Sequence, residues 1–307
     1  MKTSPQTSPR LRLSRSALLP AACLLCLALA AAAQAAQPGG NSLRMVVVKP
    51  VAAQAAPVVN KDFVVFDSTL FKRKPDLRPL GFVPLNMVYE AELWRPGSNH
   101  DEPDLEAARK AASKYKTLGD VLCVDIERWR VFGVEPQLIQ TNIRRLGAVA
   151  DAMHAAQPKL KLGYYLLLPV RDYWTGVENK PEKMRAWAEA NDSLKGLASH
   201  VDVIYPSLYT FYDDPEGWKK YAKANIMEAK RYGKPVYPVL WYQYHDSNKL
   251  LGGKPVPADV WRMQLETCLE YADGVVIWGG YKELWSEEAG WWKETKAFLA
   301  RIEAGKR

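Results

Sequence analysis

From residue 61 onward the chain alternates between two kinds of apolar pattern. Short runs rich in β-branched and aromatic residues occupy 63–66, 83–90, 121–127, 160–168, 201–209, 236–242 and 274–278. Between them lie helical patterns bounded by start and stop signals. Asp101 and Pro103 open one that runs to Leu118, with Gly119 as its stop. Pro136 opens a second, which ends before Pro158, and Pro181 opens a third. Pro215 opens a fourth, closed by Gly233-Lys234-Pro235, and Pro257 opens a fifth, closed by Gly274. A last helix is expected over 286–304. Strands that alternate with helices of this length imply a parallel sheet. Seven such units without a dinucleotide glycine fingerprint predict an α/β fold of the (β/α) TIM-like barrel type with seven strands. The competing architecture is an open, doubly wound sheet. Residues 61–307 match the roughly 250 residues of one barrel domain.

The first 60 residues carry a different pattern. Lys2, Arg10, Arg12 and Arg15 form a basic stretch without acids, 17–33 is an apolar run, and Ala33-Gln34-Ala35 offers a small-x-small cleavage site. Residues 1–35 therefore read as a secretory signal peptide of bacterial type. A membrane anchor fits less well, because the run is short for a span and holds Pro20. Cys23 and Cys26 sit inside the run rather than at its end, which disfavours a lipoprotein. Residues 36–60, rich in Ala, Pro, Gly and Val, read as a linker or disordered arm. The expected destination is the periplasm or the extracellular space, with no membrane span after cleavage.

Removing the signal changes the charge argument. The whole chain has 42 basic and 34 acidic residues, a net of +8. Without the four basic residues of the signal, 38 remain against 34, a net of +4. The two signs are mixed along the mature chain, and no basic tract argues for nucleic acid. Only Cys123 and Cys268 remain after export, too few for a disulfide framework. They could pair in an oxidising compartment, but Cys123 lies in an expected strand, which favours a buried free thiol.

The run 121–129 carries the chemistry. Side chains alternate along a strand, so Cys123, Asp125 and Glu127 share one face and Leu122, Val124 and Ile126 the other. In a barrel the apolar face packs on helices and the acids point inward at the C-terminal mouth, where active sites of such barrels sit. Two acids so close repel one another, which raises one pKa and suits acid–base work near neutral pH. The plainer alternative is an ion-pair network with Arg128 or Arg130. Both acids approach a sugar from the same side, whereas a direct retaining mechanism needs a carboxylate on the opposite face. Glu90 and Glu92 are the candidates for that second carboxylate, although a solvated loop explains them as well. Substrate assistance removes the need for one. A 2-acetamido carbonyl would attack the anomeric carbon while Glu127 protonates the leaving oxygen and Asp125 orients the acetamido N–H.

Aromatic residues crowd the ends of the other strands: Tyr164, Tyr165, Tyr173, Trp174, Tyr205, Tyr209, Tyr212, Trp241, Tyr242, Tyr244 and Trp278. Any single one is best explained by packing. Their recurrence at successive strand ends favours a carbohydrate cleft, with Tyr205 and Trp241 among its lining. His100, His154, His200 and His245 are scattered, and no HExxH or paired-cysteine spacing occurs, so neither metal nor cofactor is expected. A nucleophile elbow and a phosphate loop are also absent.

At these residues the sequence resembles the hyaluronidase family of glycoside hydrolases. The resemblance runs from Phe63 to Gly280. Val124-Asp125-Ile126-Glu127-Arg128-Trp129 is similar to that family's catalytic I-D-W-E-x-W strand. Leu162-Gly163-Tyr164-Tyr165 with Pro169 resembles its W-G-[FY]-Y-x-x-P strand, with one residue more. Tyr205-Pro206-Ser207-Leu208-Tyr209 resembles its Y-P-S-[IV]-Y strand, and the 274–279 run its G-V-V-[IL]-W strand. The resemblance implies a seven-stranded barrel, Glu127 as acid/base, Asp125 and Tyr209 as positioners of the acetamido group, and Tyr165 and Trp278 as walls of the same subsite. The family's disulfide cysteines and growth-factor-like appendage are missing. Hyaluronan as the substrate therefore does not follow; peptidoglycan, chitin-type chains or an exopolysaccharide fit equally. The expected function is secreted, retaining, substrate-assisted hydrolysis of an N-acetylhexosamine-containing polysaccharide, of endo-hexosaminidase type. The alternatives are a glycosidase that uses Glu127 with a second carboxylate such as Glu90, and a non-catalytic polysaccharide-binding barrel.

Overall fold

The computed structural model describes residues 62–115 and 121–306. The signal peptide and the arm expected over 1–60 lie outside these residues, as does the expected helix stop at Gly119. Seven strands run β1 (Val64–Thr69), β2 (Val83–Pro84), β3 (Asn86–Tyr89), β4 (Val121–Asp125), β5 (Lys161–Tyr164), β6 (Val239–Trp241) and β7 (Gly274–Gly279). They form two sheets, ordered β2-β1-β7-β6 and β3-β4-β5, and every pairing is parallel.

Proline decides where the expected strands break. Pro84 and Leu85 interrupt the 83–90 run, so one part pairs with β1 and the other with β4. The 201–209 run forms single bridges rather than a ladder, Tyr165 with Tyr205, Ile204 with Val236 and Ser207 with Val239, and Thr210 just beyond it bridges to Tyr244. Pro206 has no N–H to donate to a continuous ladder. This segment nevertheless bonds to both sheets, through Leu166 N to Tyr205 O at 3.0 Å and Leu208 N to Val239 O at 3.0 Å. Pro238 similarly trims the 236–242 run to β6.

Helices follow the strands: α1 (Leu105–Lys114), α2 (Pro136–Ala156), α3 (Tyr173–Glu178), α4 (Pro181–Asp192), α5 (Lys195–Ala198), α6 (Pro215–Lys230), α7 (Ala258–Tyr271) and α8 (Gly290–Lys306). Pro136, Pro181 and Pro215 stand at the first turn, where a missing N–H costs nothing. The first helix starts later than the sequence suggests. Asp104 caps it by accepting from Ala107 N at 3.1 Å, which leaves Asp101 and Pro103 outside. The long helices bury one stripe each. In α6 it is Trp218, Tyr221, Ala222, Ile226 and Ala229, at helical spacing. No helix among the described residues is long and apolar enough to cross a membrane.

Alternation along the strands sorts the side chains into two cores. Val65, Leu122, Val124, Leu162, Tyr164 and Ile277 pack outward against the helices. Phe66, Leu85, Met87, Cys123, Tyr165, Val203, Tyr205, Val239 and Val276 meet in a second, inner cluster. Both cysteines among the described residues, Cys123 and Cys268, are buried and free, and for Cys123 this agrees with its expected strand position. Gly163 is required in this inner layer, because a Cβ there would meet the Val203 carbonyl oxygen and the Tyr205 ring.

Candidate active site

β4 ends at Asp125, so Glu127 stands two residues beyond the strand, on the loop that leaves it. The register pairs Asp125 with Tyr89 at the end of β3. Leu122, Val124 and Ile126 are fully buried on the helix side, which turns Asp125 toward the inner face above Cys123. Asp125 is half-buried, and its Oδ1 has no hydrogen-bond partner among the described residues. Burial, then the charges of Glu127 and Glu90, push its carboxyl up to about 7. Glu127 is exposed, and no hydrogen bond or ion pair engages it among the described residues.

The arginines that could have neutralised these acids are committed elsewhere. Arg128 donates to Glu90 from its backbone N–H at 3.0 Å and its Nε at 2.8 Å, and its guanidinium lies over the Trp94 ring. Arg130 lies over Phe132. Glu90 is thus held in an ion pair, although its charge still reaches Asp125. Glu92 is likewise taken, by Lys114 Nζ at 2.6 Å and the Tyr115 hydroxyl at 3.0 Å. Neither is presented as a second free carboxylate.

Four of the expected aromatic residues come together beside Asp125. The Tyr209 ring stacks on Trp278 at 5.8 Å and 20°, meets Trp241 edge-on at 5.5 Å, and lies 5.9 Å from Tyr165. Trp241 and Trp278 meet at 5.3 Å. Gly279, with φ 131°, allows this approach, since a Cβ there would come within 2.8 Å of the Trp241 ring. The Tyr165 hydroxyl lies 2.9 Å from Ser207 Oγ. Burial raises both the Tyr165 and Tyr209 phenols, so both keep their protons as donors. The Trp241 Nε1 is buried with no acceptor among the described residues.

Tyr205 does not join them. It is fully buried in the inner cluster beside Tyr237, at 6.1 Å, and is closed off from solvent. Tyr164, Tyr242 and Tyr244 point to the outer core instead of the mouth, because each is one residue out of phase with an inward neighbour. Tyr89 is one residue the sequence reading missed. Its hydroxyl accepts from Trp278 Nε1 at 3.0 Å, and the Asp125 charge adds to burial in raising its pKa. The alternation Met87–Tyr89 along the second run could have found it. Arg171 and His245 were also missed: the Arg171 guanidinium lies 4.6 Å from the Phe211 ring, and burial and then the Arg171 charge lower the His245 pKa.

Among the described residues no group of three or more His, Cys, Asp and Glu is arranged to hold a metal ion. A groove of about 570 Å³ runs between 63–65, 78–81 and α8 and includes none of these side chains. The acid pair lies at the strand ends, away from it.

No protein-family model matches the chain, and no curated protein sequence matches it. Solved structures do. The bee venom hyaluronidase covers 80% of this chain over 100% of its own length, at 16% identity and a TM-score of 0.52. The same enzyme in complex with a hyaluronic acid tetramer gives 16% identity, 80% and 99% coverage and a TM-score of 0.52. An α-L-fucosidase from Paenibacillus thiaminolyticus has a TM-score of 0.44 at 12% identity, covering 78% of this chain and 44% of its own, too low to argue from. The fold is therefore an α/β fold with parallel sheets, of the kind found in TIM-barrel glycoside hydrolases.

Proposed function

We propose that this chain is a retaining glycoside hydrolase that cleaves an N-acetylhexosamine-containing polysaccharide with the substrate's own acetamido group as nucleophile. The architecture that goes with this reading is a closed, seven-stranded barrel. The bridges of the 201–210 segment to both sheets support it. One observation carries the reading. An exposed glutamate and a half-buried aspartate with an oxygen unpartnered among the described residues stand together at a strand end, with Glu90 and Glu92 both held by cationic partners and a nest of aromatics beside them.

In the first step the acetamido carbonyl oxygen attacks the anomeric carbon as the glycosidic bond breaks. Glu127 gives its proton to the leaving oxygen. Asp125, as carboxylate, accepts the acetamido N–H through the oxygen that lacks a partner and offsets the positive charge developing on the ring that closes. Water then attacks the anomeric carbon, Glu127 takes its proton, and the ring reopens. Two inversions give net retention. The Tyr209 hydroxyl donates toward the acetamido group, and Tyr165 and Trp278 wall the same subsite. The bee venom enzyme, whose complex holds a hyaluronic acid tetramer, lends weight to a polysaccharide of this class. The pair of arginine and lysine partners on Glu90 and Glu92 weighs against a direct mechanism with either as nucleophile. The unengaged acids weigh against a purely binding role, since a binding cleft gains nothing from leaving two carboxylates together.

The test digests a panel of N-acetylhexosamine polymers with the protein and with Glu127→Gln and analyses the products by mass. Cleavage that falls about 10²–10⁴-fold in the variant is expected. Equal products from both proteins would sink the reading. A thiazoline analogue of the cyclised intermediate is expected to inhibit competitively.

A further inference from the structure

Trp174 and Tyr212 are exposed aromatic side chains that pack against each other. Trp174 is 53% exposed and Tyr212 42%, whereas Trp218, Trp261 and Trp292 are fully buried. The two exposed rings face each other at 5.2 Å with a tilt of 48°. Tyr173 supports both, at 5.1 Å from Trp174 and 4.7 Å from Tyr212, and rests in turn on the buried Tyr221 at 4.9 Å. Isolated exposed aromatics are ordinary on protein surfaces. A pair pinned from behind is less so, because the fold has ordered it without gaining burial.

The pinning is specific. Asp172 caps α3 by accepting from Thr175 N at 2.8 Å. Asn225 of α6 donates to the Asp172 carbonyl at 3.0 Å and so fixes the turn that carries Trp174. Gly176 lets α3 sit against α6, where a Cβ would meet Ala224 and the Tyr221 backbone. No hydrogen bond engages the Trp174 indole N–H or the Tyr212 hydroxyl among the described residues.

The position matters as much as the exposure. Tyr212 follows Tyr209 by three residues, and Trp174 lies on the segment that leaves β5 after Tyr165. The pair thus stands on the two chain segments that line the acid site, farther out along each. Arg171 and Phe211, both half-buried and in contact at 4.6 Å, lie between. A continuous run of ring contacts links the two places: Tyr209 lies 6.0 Å from His245, His245 4.7 Å from Phe211, Phe211 6.5 Å from Tyr221, and Tyr221 4.9 Å from the Tyr173 that backs the pair.

We infer that Trp174 and Tyr212 form a distal sugar subsite that stacks on a pyranose ring of the same polysaccharide, several units from the cleaved bond. The inference rests on the hydrolase reading for the polymer's identity. It makes the site one for long chains, since short oligosaccharides cannot span both places.

The experiment uses affinity electrophoresis in gels holding soluble glycol chitin or hyaluronan, with the Glu127→Gln protein so that nothing is digested. Adding Trp174→Ala or Tyr212→Ala is expected to weaken retardation roughly two- to tenfold, while Trp174→Phe keeps most of it. Thermal unfolding of each variant separates lost binding from lost folding. Equal retardation with and without Trp174, or no retardation of the parent in either gel, overturns the subsite. With the active protein, Trp174→Ala is expected to raise KM for long chains and to shrink their advantage in kcat/KM over short oligosaccharides. An unchanged advantage, with cleavage intact, overturns the subsite and leaves the hydrolase reading standing. Retardation that depends on Trp174 in a protein that cleaves nothing has the opposite meaning: the platform stands and the hydrolase reading falls.

Discussion

The protein holds two aromatic nests built from the same residue types, and they differ in what their polar atoms do. In one, Phe71, Tyr242, Trp261, Trp285, Trp291 and Trp292 pack around the start of α8, with Phe71 stacked on Trp291 at 5.6 Å and Tyr242 on Trp291 at 4.8 Å. Four of its five side-chain donors have acceptors. Trp261 Nε1 donates to Thr295 Oγ1 at 2.9 Å, Trp285 and Trp292 both donate to Glu287 at 2.7 Å, and Tyr242 donates to Glu283 at 2.9 Å. In the other, around Tyr209, the Trp241 N–H and the Asp125 Oδ1 are buried without partners among the described residues. An unsatisfied buried polar group costs about 1–3 kcal/mol, so a fold keeps one where something else will satisfy it. The first nest is finished as structure. Under the proposed function, the substrate completes the second.

Substitutions should separate the two nests cleanly. Trp292→Ala is expected to cost about 3–5 kcal/mol of stability, read as a lower unfolding midpoint in denaturant, with kcat per folded molecule retained. A large loss of kcat in that variant would erase the distinction. Asp125→Asn should behave the other way. Its carboxyl is held near 7, above the ordinary 3.8, so the fold favours the neutral form. The stability from this group is complete below about 3.8 and is lost as pH rises through about 7. The neutral asparagine escapes that loss. Asp125→Asn should therefore lower kcat about 10²-fold while raising the thermal midpoint at pH 8, with little gain at pH 4. A variant equally active, or less stable at pH 8, would contradict both roles.

Tyr209→Phe removes one donor and keeps the stacked ring. An effect of about tenfold on kcat is expected, with KM for the polymer moving less. The smallest effect concerns Glu90. Glu90→Gln removes one of the charges that raise Asp125 and leaves Arg128 unpaired nearby, and both changes favour the Asp125 carboxylate. The acid limb of kcat/KM should move to lower pH with the maximum nearly unchanged. Abolished activity would instead make Glu90 a catalytic carboxylate.

Much of this was legible in the chain because period-two alternation is a strong local signal. It placed Asp125 and Cys123 on one face and Val124 and Ile126 on the other, and the inner and outer cores follow that division. Prolines gave the starts of α2, α4 and α6 for the same local reason. What failed to show was the partner of each polar group. Whether Arg128 meets Glu127 or Glu90 depends on a contact 38 residues away. Tyr242 looks like a mouth residue in sequence, yet it is one step out of phase with Trp241 and bonds to Glu283. Tyr205 has the right spacing and the wrong depth, and Tyr89 needed the β3–β4 register to bring it beside Asp125. Short α3, which carries the exposed Trp174, has too few residues to leave a periodic trace.

The acetamido group is the hinge of the proposed chemistry, and removing it from the substrate leaves the protein untouched. The decisive measurement compares initial rates on an N-acetylhexosamine polymer that the protein cleaves and on the same polymer after chemical de-N-acetylation, at matched chain length. Cleavage confined to the acetylated polymer, with the new reducing end released in the configuration of the bond that was cut, is the expected result. Comparable rates on the de-N-acetylated chain, or release with inverted configuration, would contradict a nucleophile supplied by the substrate.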